Sequence, residues 1–411
     1  MNSVTAKSKV CVIGLGYIGL PTAALLATNG YAVAGVDLST YAVDTINQGK
    51  IHIVEPDLDA FVRAAVFSGK LKAFTTPQAG DIYIICVPTP FHEGAEIPQP
   101  NIDYVLNAAT SIAPFLKSGD LVILESTSPV GTTELIAKVL TDAGVNMKGI
   151  HVAYCPERVL PGKIMTELVA NDRVVGGLTR EATTEVSYFY KTFVRGAVLE
   201  TDAKTAEMCK LTENSFRDVN IAFANELSIL CENQGIDVWK LIELANRHPR
   251  VNILQPGTGV GGHCIAVDPW FIISRDPINA RLMRSAREVN NDKTQWVLEK
   301  IKSHVIQRQT KLGRPPRLVC LGLAFKPDID DLRESPAVQV VQALQNEGFD
   351  LQVVEPNIDS HTEFTLIELD DALKLADIVV ILVKHRQFLD PVCKAKLIAL
   401  NALDFCGVGL H

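Results

Sequence analysis

A glycine-rich turn near the amino terminus constrains the fold of this chain more than any other feature. The apolar run Lys9–Ile13 is typical of a buried strand, and the turn GLGYIG follows it at residues 14–19. A helix-like segment comes next, then a second strand-like run, Ala32–Val36, that ends in Asp37. Strand, G-x-G-x-x-G turn, helix and acidic strand end are together typical of a parallel α/β nucleotide-binding unit.

Each glycine of the turn has its own physical role. Gly14 permits the tight bend, Gly16 lets the backbone approach a pyrophosphate, and Gly19 allows the helix to pack closely on the strand. The helix N-terminus attracts phosphate oxygens. Asp37 accepts a hydrogen bond from a ribose 2′-hydroxyl and repels a 2′-phosphate, which favours NAD over NADP. The alternative is a glycine-rich turn and an acidic strand end that bind no ligand.

Further strand-like runs lead into loops that contain hydroxyl groups. Residues 81–87 and 120–125 are such runs, and the loops after them contain Thr89 and Thr133. Doubly wound sheets bind ligands at the carboxyl ends of their strands, so both threonines are candidate cofactor contacts. A role in capping a turn or helix is the competing interpretation.

The carboxyl-terminal quarter predicts a second sheet of the same kind. Residues 316–325 repeat the strand-then-glycine pattern without a full fingerprint, and strand-like and helix-like runs alternate to residue 383. Lys326 and Arg333 follow the first strand, where they suit a nucleotide diphosphate. Solvated surface charge is the alternative for both residues.

A helix without a breaker connects the two regions. Residues 204–233 contain neither Pro nor Gly, which predicts one helix of about 45 Å and a natural element for dimerisation. We therefore predict an α/β protein in which a long central helix joins two Rossmann-like, doubly wound domains. The predicted divisions are an NAD-binding domain at 1–200, a central helical region for dimerisation and catalysis at 201–312, and a nucleotide-fold domain at 313–411.

A cysteine at the end of a glycine-rich run is the candidate nucleophile. Cys264 follows Gly257, Gly259, Gly261 and Gly262, which let backbone amides converge on a substrate. Its thiolate would be the reactive form. A cysteine nucleophile beside a hydride acceptor predicts oxidation beyond the aldehyde, through a thioester, to an acid. An inert core cysteine is the alternative.

The long helix carries three polar side chains at helical spacing. Lys210, Asn214 and Arg217 stand at i, i+4 and i+7 and share a face. They suit a base, an oxyanion donor and a substrate clamp, or else an ordinary polar surface.

Charge and composition exclude several classes. A net charge of -8 argues against a general nucleic-acid binder. We expect no membrane span, since no run of about 18 apolar residues is present, and we also expect no signal peptide before the first strand. The nine cysteines form no C-x-x-C pair, so we expect no metal site and a cytoplasmic location.

In motif order and over nearly its whole length, the chain resembles the UDP-glucose/GDP-mannose dehydrogenase superfamily. The motifs are GLGYIGLP at 14–21, ESTSPVG at 125–131, YCPERV at 154–159, GVGGHC at 259–264 and AFKP at 324–327. The stretches CPERVLP at 155–161 and NRHPRVNILQP at 246–256 are similar to members that oxidise UDP-N-acetyl-D-mannosamine for bacterial surface polysaccharides such as enterobacterial common antigen.

The resemblance implies a four-electron oxidation of the sugar C6 alcohol with NAD as cofactor, a carboxyl-terminal domain that binds the UDP-sugar, and a homodimer. The catalytic residues that it implies are the nucleophile Cys264, the proton donor and acceptor Lys210, and the assisting groups Asn214, Asp268 and Glu157. The implied NAD contacts are Gly14, Gly16, Tyr17, Ile18, Gly19, Asp37, Thr89 and Thr133. The implied substrate contacts are Arg158, Val159, Lys210, Asn214, Arg217, His248, Arg250, Gly261, Phe325, Lys326 and Arg333.

Two positions depart from the family pattern. Cys406 replaces a substrate-contacting cation in the last motif, which predicts weaker affinity or weaker coupling between domains. Thr258 stands where a proline is usual.

Other functions remain open at this point. Members of the same superfamily that oxidise UDP-glucose, UDP-N-acetylglucosamine or a galacto sugar are the nearest alternatives. A two-electron dehydrogenase of the 6-phosphogluconate type would not need Cys264. A sugar epimerase or dehydratase would usually carry a Tyr-x-x-x-Lys pair, which is absent from the sequence. A non-catalytic nucleotide-sugar sensor is the most distant possibility.

Overall fold

A computed structural model describes residues 8–92 and 94–409, which divide into two compact units. The first unit contains the described residues up to Thr212 together with Trp270–Arg275. The second contains Glu213–Pro269 and the described residues from Asp276 onward. The residues before Ser8, on which the expected absence of a signal peptide depends, lie outside the described part.

The first unit is built on a mostly parallel sheet. Its strands are β1 (Lys9–Ile13), β2 (Ala32–Val36), β3 (Leu71–Phe74), β4 (Ile82–Ile85), β5 (Phe91–His92), β6 (Gln99–Pro100), β7 (Leu121–Leu124), β8 (His151–Tyr154), β9 (Arg173–Gly177) and β10 (Val198–Asp202). Its helices are α1 (Gly19–Thr28), α2 (Thr40–Asn47), α3 (Leu58–Phe67), α4 (Asp103–Ile112), α5 (Thr132–Asp142), α6 (Ile164–Ala170) and α7 (Arg180–Lys191).

The strand order of the main sheet is β10-β9-β8-β7-β4-β1-β2-β3, and β5 pairs with β6 separately. Neighbouring strands of the main sheet are parallel except β8 and β9. The chain leaves β1 toward β2 and returns on the other side at β4. This reversal opens a crevice at the carboxyl ends of β1 and β4, where such sheets bind ligands.

Alternate residues of β1 face two separate apolar layers. Val10 and Val12 belong to one buried cluster, and Cys11 and Ile13 belong to another. Burial on both faces explains why the strand reads as a continuous apolar run in the sequence.

Two helices of more than thirty residues follow the first sheet. They are α8 (Ala203–Asn233) and α11 (Arg281–Leu312), with α9 (Val238–Ala245) and α10 (Asp268–Arg275) between them. The boundary between the two units falls inside α8. The predicted long central helix is therefore confirmed. Within the described residues, no helix combines the length and apolarity needed to cross a membrane.

The second unit contains a smaller parallel sheet. Its strands are β11 (Leu318–Leu321), β12 (Leu351–Val354), β13 (Ile378–Ile381) and β14 (Leu403–Asp404), in the order β12-β11-β13-β14. Its remaining helices are α12 (Pro336–Asn346), α13 (Leu369–Leu375) and α14 (Pro391–Ala399). Leu318 and Val319 face opposite apolar clusters. The predicted fold class, with two Rossmann-like sheets, is confirmed.

Candidate active site

The turn after β1 has the backbone geometry that a pyrophosphate site requires. Gly14 has a φ of +90°, and a Cβ on it would lie 2.7 Å from the Cys86 carbonyl oxygen. A Cβ on Gly19 would lie 1.7 Å from the Gly14 carbonyl oxygen. No described atom lies within 4 Å of the corresponding point on Gly16. The turn therefore needs glycine at two positions for packing and leaves its backbone open at the third.

The acid at the end of β2 braces this turn. Asp37 is half-buried, and its Oδ2 accepts the N–H of Leu15 at 3.0 Å. Tyr17 is 39% exposed, and Ile18 is half-buried beside the start of α1. An open backbone, a helix N-terminus and a carboxylate at the strand end are together the groups that a dinucleotide contacts. The residues present thus fit NAD.

The two predicted cofactor threonines make hydrogen bonds inside the protein. Thr89 Oγ1 donates to the Thr127 carbonyl at 2.7 Å, which ties the loops after β4 and β7 together. Thr133 is fully buried, and its Oγ1 donates to Glu207 Oε1 at 2.6 Å. The same carboxylate accepts the N–H groups of Thr133 at 2.8 Å and Gly131 at 2.6 Å.

Glu207 was missed by the sequence analysis. It caps α5 from α8, where it is fully buried. It stands at i−3 from Lys210 and i−7 from Asn214, so the spacing of polar residues along α8 was the signal that could have found it.

The loop after β8 carries a carboxyl group with an altered acidity. Burial raises the pKa of Glu157 to about 7, although the cations of Lys210 and Arg173 act in the opposite direction. Val159 donates its backbone N–H to Glu157 Oε1. The next residue, Arg158, is held by a hydrogen bond from its Nη1 to the Asp172 carbonyl at 3.2 Å. A carboxyl group that titrates near neutral pH beside a lysine is suited to general acid–base work.

Helix α8 presents the predicted polar residues at different depths. Lys210 and Asn214 are both buried, and Arg217 is exposed. Asn214 Nδ2 donates to Asp268 Oδ2 at 2.6 Å. Asp268 is itself buried and donates its backbone N–H to the Cys264 carbonyl at 2.8 Å. The second unit therefore brings Asn214, Asp268 and Cys264 together.

The cysteine is exposed at the end of a closely packed glycine segment. Cys264 has an exposed side chain. A Cβ on Gly261 would lie 2.4 Å from the Glu334 carbonyl oxygen and 2.8 Å from Phe325 Cβ. Gly262 donates its N–H to the Arg333 carbonyl at 3.1 Å. The structure thus places the predicted substrate residues Gly261, Phe325 and Arg333 side by side.

His263 does not supply a cation next to Cys264. Burial and the nearby Arg333 guanidinium lower the pKa of His263 below its usual value. The lowered pKa favours the neutral imidazole at pH 7, which offers no positive charge to stabilise the Cys264 thiolate.

The exposed cations of the second unit lie in loops with their own anchors. Arg333 donates to both carboxylate oxygens of Asp331, at 2.6 to 3.1 Å, and Lys326 is exposed earlier in the same loop. His248 and Arg250 are exposed after α9. Asn246 fixes that segment through two hydrogen bonds to Ile253. Its Oδ1 accepts the Ile253 N–H at 2.7 Å, and its Nδ2 donates to the Ile253 carbonyl at 3.0 Å.

The acid at the end of β12 is used differently from Asp37. Glu355 is buried and accepts the N–H groups of Leu323 at 2.7 Å and Ala324 at 3.0 Å. His385 is fully buried, and its Nδ1 accepts the Asp328 N–H. The ring proton is therefore on Nε2, which donates to Glu355 Oε2 at 3.0 Å. Burial alone would raise the pKa of Glu355, but these bonds outweigh it and lower the pKa to about 2. Hydrogen bonds within the fold occupy this carboxylate, so it is not available to bind a ribose. Sequence analysis missed His385, which no pattern marks.

Cys406 lies in a turn whose backbone N–H groups bond to Asp404, at the end of β14. Asp404 accepts the N–H groups of Cys406 at 3.1 Å, Gly407 at 2.8 Å and Gly409 at 3.1 Å. The Cys406 sulfur lies 3.7 Å from the Ile381 carbonyl, and burial raises the pKa of its thiol well above the usual value. Cys406 is therefore a neutral, inward-facing group.

A separate cavity of about 640 Å³ lies before β7, between Lys117, Ser118 and Asn146. Parallel sheets bind ligands at the opposite, carboxyl ends of their strands, so we do not assign it to the active site. Across residues 8–92 and 94–409, no group of three or more His, Cys, Asp or Glu side chains is arranged to hold a metal ion.

Comparisons with known proteins agree with this geometry. The NAD binding domain of the UDP-glucose/GDP-mannose dehydrogenase family matches residues 8–194, its central domain 204–292 and its UDP binding domain 319–402. The UDP-N-acetyl-D-mannosamine dehydrogenase of Escherichia coli (strain K12) is 54% identical over 92% of this chain and 94% of its own length. An NDP-N-acetyl-D-galactosaminuronic acid dehydrogenase of Ralstonia nicotianae is 53% identical over 92% and 91%.

The solved structure of the UDP-N-acetyl-mannosamine dehydrogenase of Staphylococcus aureus has a TM-score of 0.84 and 44% identity. It covers 93% of this chain and 90% of that one.

A glycine turn that fits NAD, a second nucleotide fold and a cysteine on a glycine segment define an NAD-dependent oxidoreductase. Its cofactor is NAD, as the matching NAD binding domain shows. The chain belongs to the UDP-glucose/GDP-mannose dehydrogenase family and is a nucleotide-sugar dehydrogenase.

Proposed function

We propose that the protein oxidises the C6 alcohol of UDP-N-acetyl-D-mannosamine to the carboxylate of UDP-N-acetyl-D-mannosaminuronic acid, in two successive NAD-dependent steps. The observation that carries the proposal is the contact set of Asn214, Asp268 and Cys264 on a glycine segment. An alcohol dehydrogenase that stops at the aldehyde has no need of that cysteine. The similarity to relatives with this named substrate supports the choice of sugar.

The first oxidation needs a group that takes the hydroxyl proton. In our proposal Lys210 takes this proton in its amine form, and the ammonium that results, together with the Asn214 amide, stabilises the negative oxygen. NAD held at the glycine turn of residues 14–19 would supply the hydride acceptor for each oxidation. Exposed cations in the carboxyl-terminal domain, Lys326 and Arg333, suit the diphosphate.

The second oxidation depends on sulfur. The Cys264 thiolate adds to the aldehyde carbon and forms a thiohemiacetal, whose oxidation leaves a thioester. Water then adds to the thioester carbon, releasing the acid and the free thiol. Glu157, which titrates near pH 7, is suited to take a proton from that water, and Asp268 assists proton transfer.

The same proposal includes a homodimer formed through α8. Phe216, Phe223 and Leu230 are 68%, 56% and 48% exposed. They recur at intervals of seven residues and so form one row on the helix, which we call the heptad row. A repeated apolar row suits self-association with a second copy of the chain. We also propose that the enzyme acts in the cytoplasm and supplies surface polysaccharide synthesis.

A galacto-configured sugar is the second candidate substrate. The Ralstonia relative is almost as similar as the Escherichia coli one but has a different substrate in its name. Overall identity therefore does not separate the two sugars.

The deciding measurement is the NADH formed per sugar nucleotide, with each candidate supplied as sole, limiting substrate. We expect about two NADH per UDP-N-acetylmannosamine, because each two-electron oxidation reduces one NAD. The gluco and galacto epimers should give little. One NADH per sugar would overturn the thioester step, and preferential turnover of an epimer would overturn the substrate.

Cys264→Ser separates the cysteine from the rest of the proposal. The variant should bind NAD like the unaltered enzyme, because the glycine turn is unaffected, yet form no acid. Acid formation at the normal rate would remove Cys264 from the mechanism.

A further inference from the structure

Helices α8 and α11 bury a row of polar side chains between them. Each of these residues is at most 9% exposed, and we call them the polar seam: Asp218, Asn225 and Ser228 from α8, and Arg287, Asn290 and Lys293 from α11. Two long helices can pack with apolar residues alone, and burying polar groups costs free energy unless they are paired. The seam therefore calls for a role beyond holding the helices together.

The members of the seam are hydrogen-bonded in sequence. Arg287 Nη1 donates to Asp218 Oδ1 at 2.7 Å, and Asn290 Nδ2 donates to the same oxygen at 2.8 Å. Asn225 Nδ2 then donates to Asn290 Oδ1 at 2.9 Å. This orients the Asn225 amide, since its nitrogen faces Asn290 and its oxygen is free to accept elsewhere.

The seam ends on the glycine segment that leads to Cys264. Asn225 Oδ1 accepts the Gly257 N–H at 2.9 Å. One residue further along, Thr294 Oγ1, from α11, donates to the Thr258 carbonyl at 3.1 Å. Two consecutive residues at the start of the segment are thus held by side chains from two different helices.

The other end of the segment is also tied to α8. Asn214 binds Asp268, whose backbone N–H binds the Cys264 carbonyl. Asn214 lies one helical turn before Asp218, the first member of the seam. Helix α8 therefore fixes the segment on both sides of the cysteine, while the glycines between pack against Phe325 and Pro336.

We propose that Asn225 and Thr294 are positioning residues for Cys264. They hold the start of the glycine segment so that the sulfur stays in place for attack. The proposal rests on the function proposed above, because it gives Cys264 a reaction to perform. Loss of either hydrogen bond loosens the start of the segment, which then depends more on the Thr258 Oγ1 bond to the Leu382 carbonyl at 2.6 Å, while the glycine turn that fits NAD is untouched.

The test compares variants that differ in one hydrogen bond. Thr294→Val keeps the shape of the side chain and removes its donor, whereas Thr294→Ser keeps the hydroxyl. Asn225→Ala removes the bond to Gly257. Ser228→Ala is the matched control, since Ser228 lies in the same seam, accepts from Lys293 at 2.9 Å, donates to the backbone carbonyl of Asn225 at 2.6 Å and makes no bond to the segment.

We expect Thr294→Val and Asn225→Ala to lower kcat about tenfold or more, because small displacements of a reacting group reduce rates steeply. KM for NAD should not change. Thr294→Ser should restore kcat, and Ser228→Ala should leave kcat within about twofold even where it lowers Tm. If Ser228→Ala lowers kcat as much as the other two, the seam only stabilises the fold and the proposal is wrong.

Amide hydrogen exchange gives a readout that does not depend on turnover. The N–H groups of residues 262–268 should exchange faster in Thr294→Val and Asn225→Ala, and at the normal rate in Ser228→Ala. Unchanged exchange in the first two variants would overturn the proposal. If the unaltered enzyme oxidised no sugar but these differences were found, only the proposed function would fail.

Discussion

Glu157 shows how one residue can be adapted by its surroundings. Its carboxyl group lies in a loop after a parallel strand, where burial works against ionisation and two cations work in favour of it. Burial is the larger effect, so the pKa rises to about 7. The group can then hold or release a proton within the range of pH where an enzyme works.

Replacing Glu157 by Gln should alter how stability depends on pH. The folded protein keeps the Glu157 proton up to about pH 7, whereas the unfolded chain loses it near the ordinary value of 4.5. The folded state therefore binds more protons in this window, and stability falls as pH rises through it. Gln does not ionise and does not suffer this loss. The Tm of the variant minus the Tm of the unaltered protein should therefore be larger at pH 8 than at pH 5.

Thermal unfolding at the two pH values measures this difference. Acid formation by the unaltered enzyme should also fall below about pH 7, where Glu157 is protonated. A difference in Tm that is the same at pH 5 and pH 8 would contradict the raised pKa.

At the scale of elements, the two sheets treat similar acids in different ways. Asp37 and Glu355 both follow a second strand and both accept amides from the turn after the first strand. Glu355 is buried and bonds to His385, whereas Asp37 is half-buried. The first acid remains half-exposed at the candidate cofactor site, and the second joins the ends of β11, β12 and β13.

Glu355→Gln should therefore destabilise the protein by about 2–4 kcal/mol, since hydrogen bonds to charged groups contribute about 1.5–3 kcal/mol each and part of the set survives. The folded pKa of about 2 lies below the ordinary 4.5, so this stability is present above pH 4.5 and is lost as pH falls toward 2. Urea unfolding at pH 7 and pH 4 measures both effects. The exposed Glu363→Gln is the control, and an equal change in both variants would contradict the prediction.

The sequence predicts elements better than it predicts their partners. Residues 9–37 form one stretch of sequence that contains a strand, the glycine turn and the acid. Its pattern is therefore sufficient to predict these elements. His385 and Glu355 are thirty residues apart, and Asn225 and Asn290 are sixty-five apart. Such pairs form only when tertiary packing brings distant elements together, and one sequence carries no record of it. The roles of the individual site residues remain predictions.

At the scale of the whole molecule, α8 carries the heptad row as well as residues of the candidate site. In our proposal, a single helix therefore carries both the self-association surface and residues of the candidate site. Ordinary surface leucines and phenylalanines occur singly and need no explanation, whereas three in one row are unusual on a face that meets only water.

Phe223→Glu should weaken self-association, because a charge in the centre of an apolar contact must be desolvated without a partner. Sedimentation equilibrium over a range of concentrations measures the mass. Leu282→Glu is the control, since Leu282 is 69% exposed on α11 and outside the heptad row. A monomer in the unaltered protein, or an unchanged dimer in Phe223→Glu, would contradict the proposed interface.

The carboxylate of Glu207 has a consequence for where a phosphate can bind. Helix N-termini attract anions, and α1 and α5 both begin after strands of the same sheet. At α5 the first-turn amides already face the protein's own carboxylate, from Glu207. The Glu207 carboxylate therefore occupies the anion site at the start of α5 and competes with any phosphate there. The start of α1 has no side-chain cap and lies next to the open backbone of Gly16, so it is left as the place where the diphosphate of the cofactor can bind.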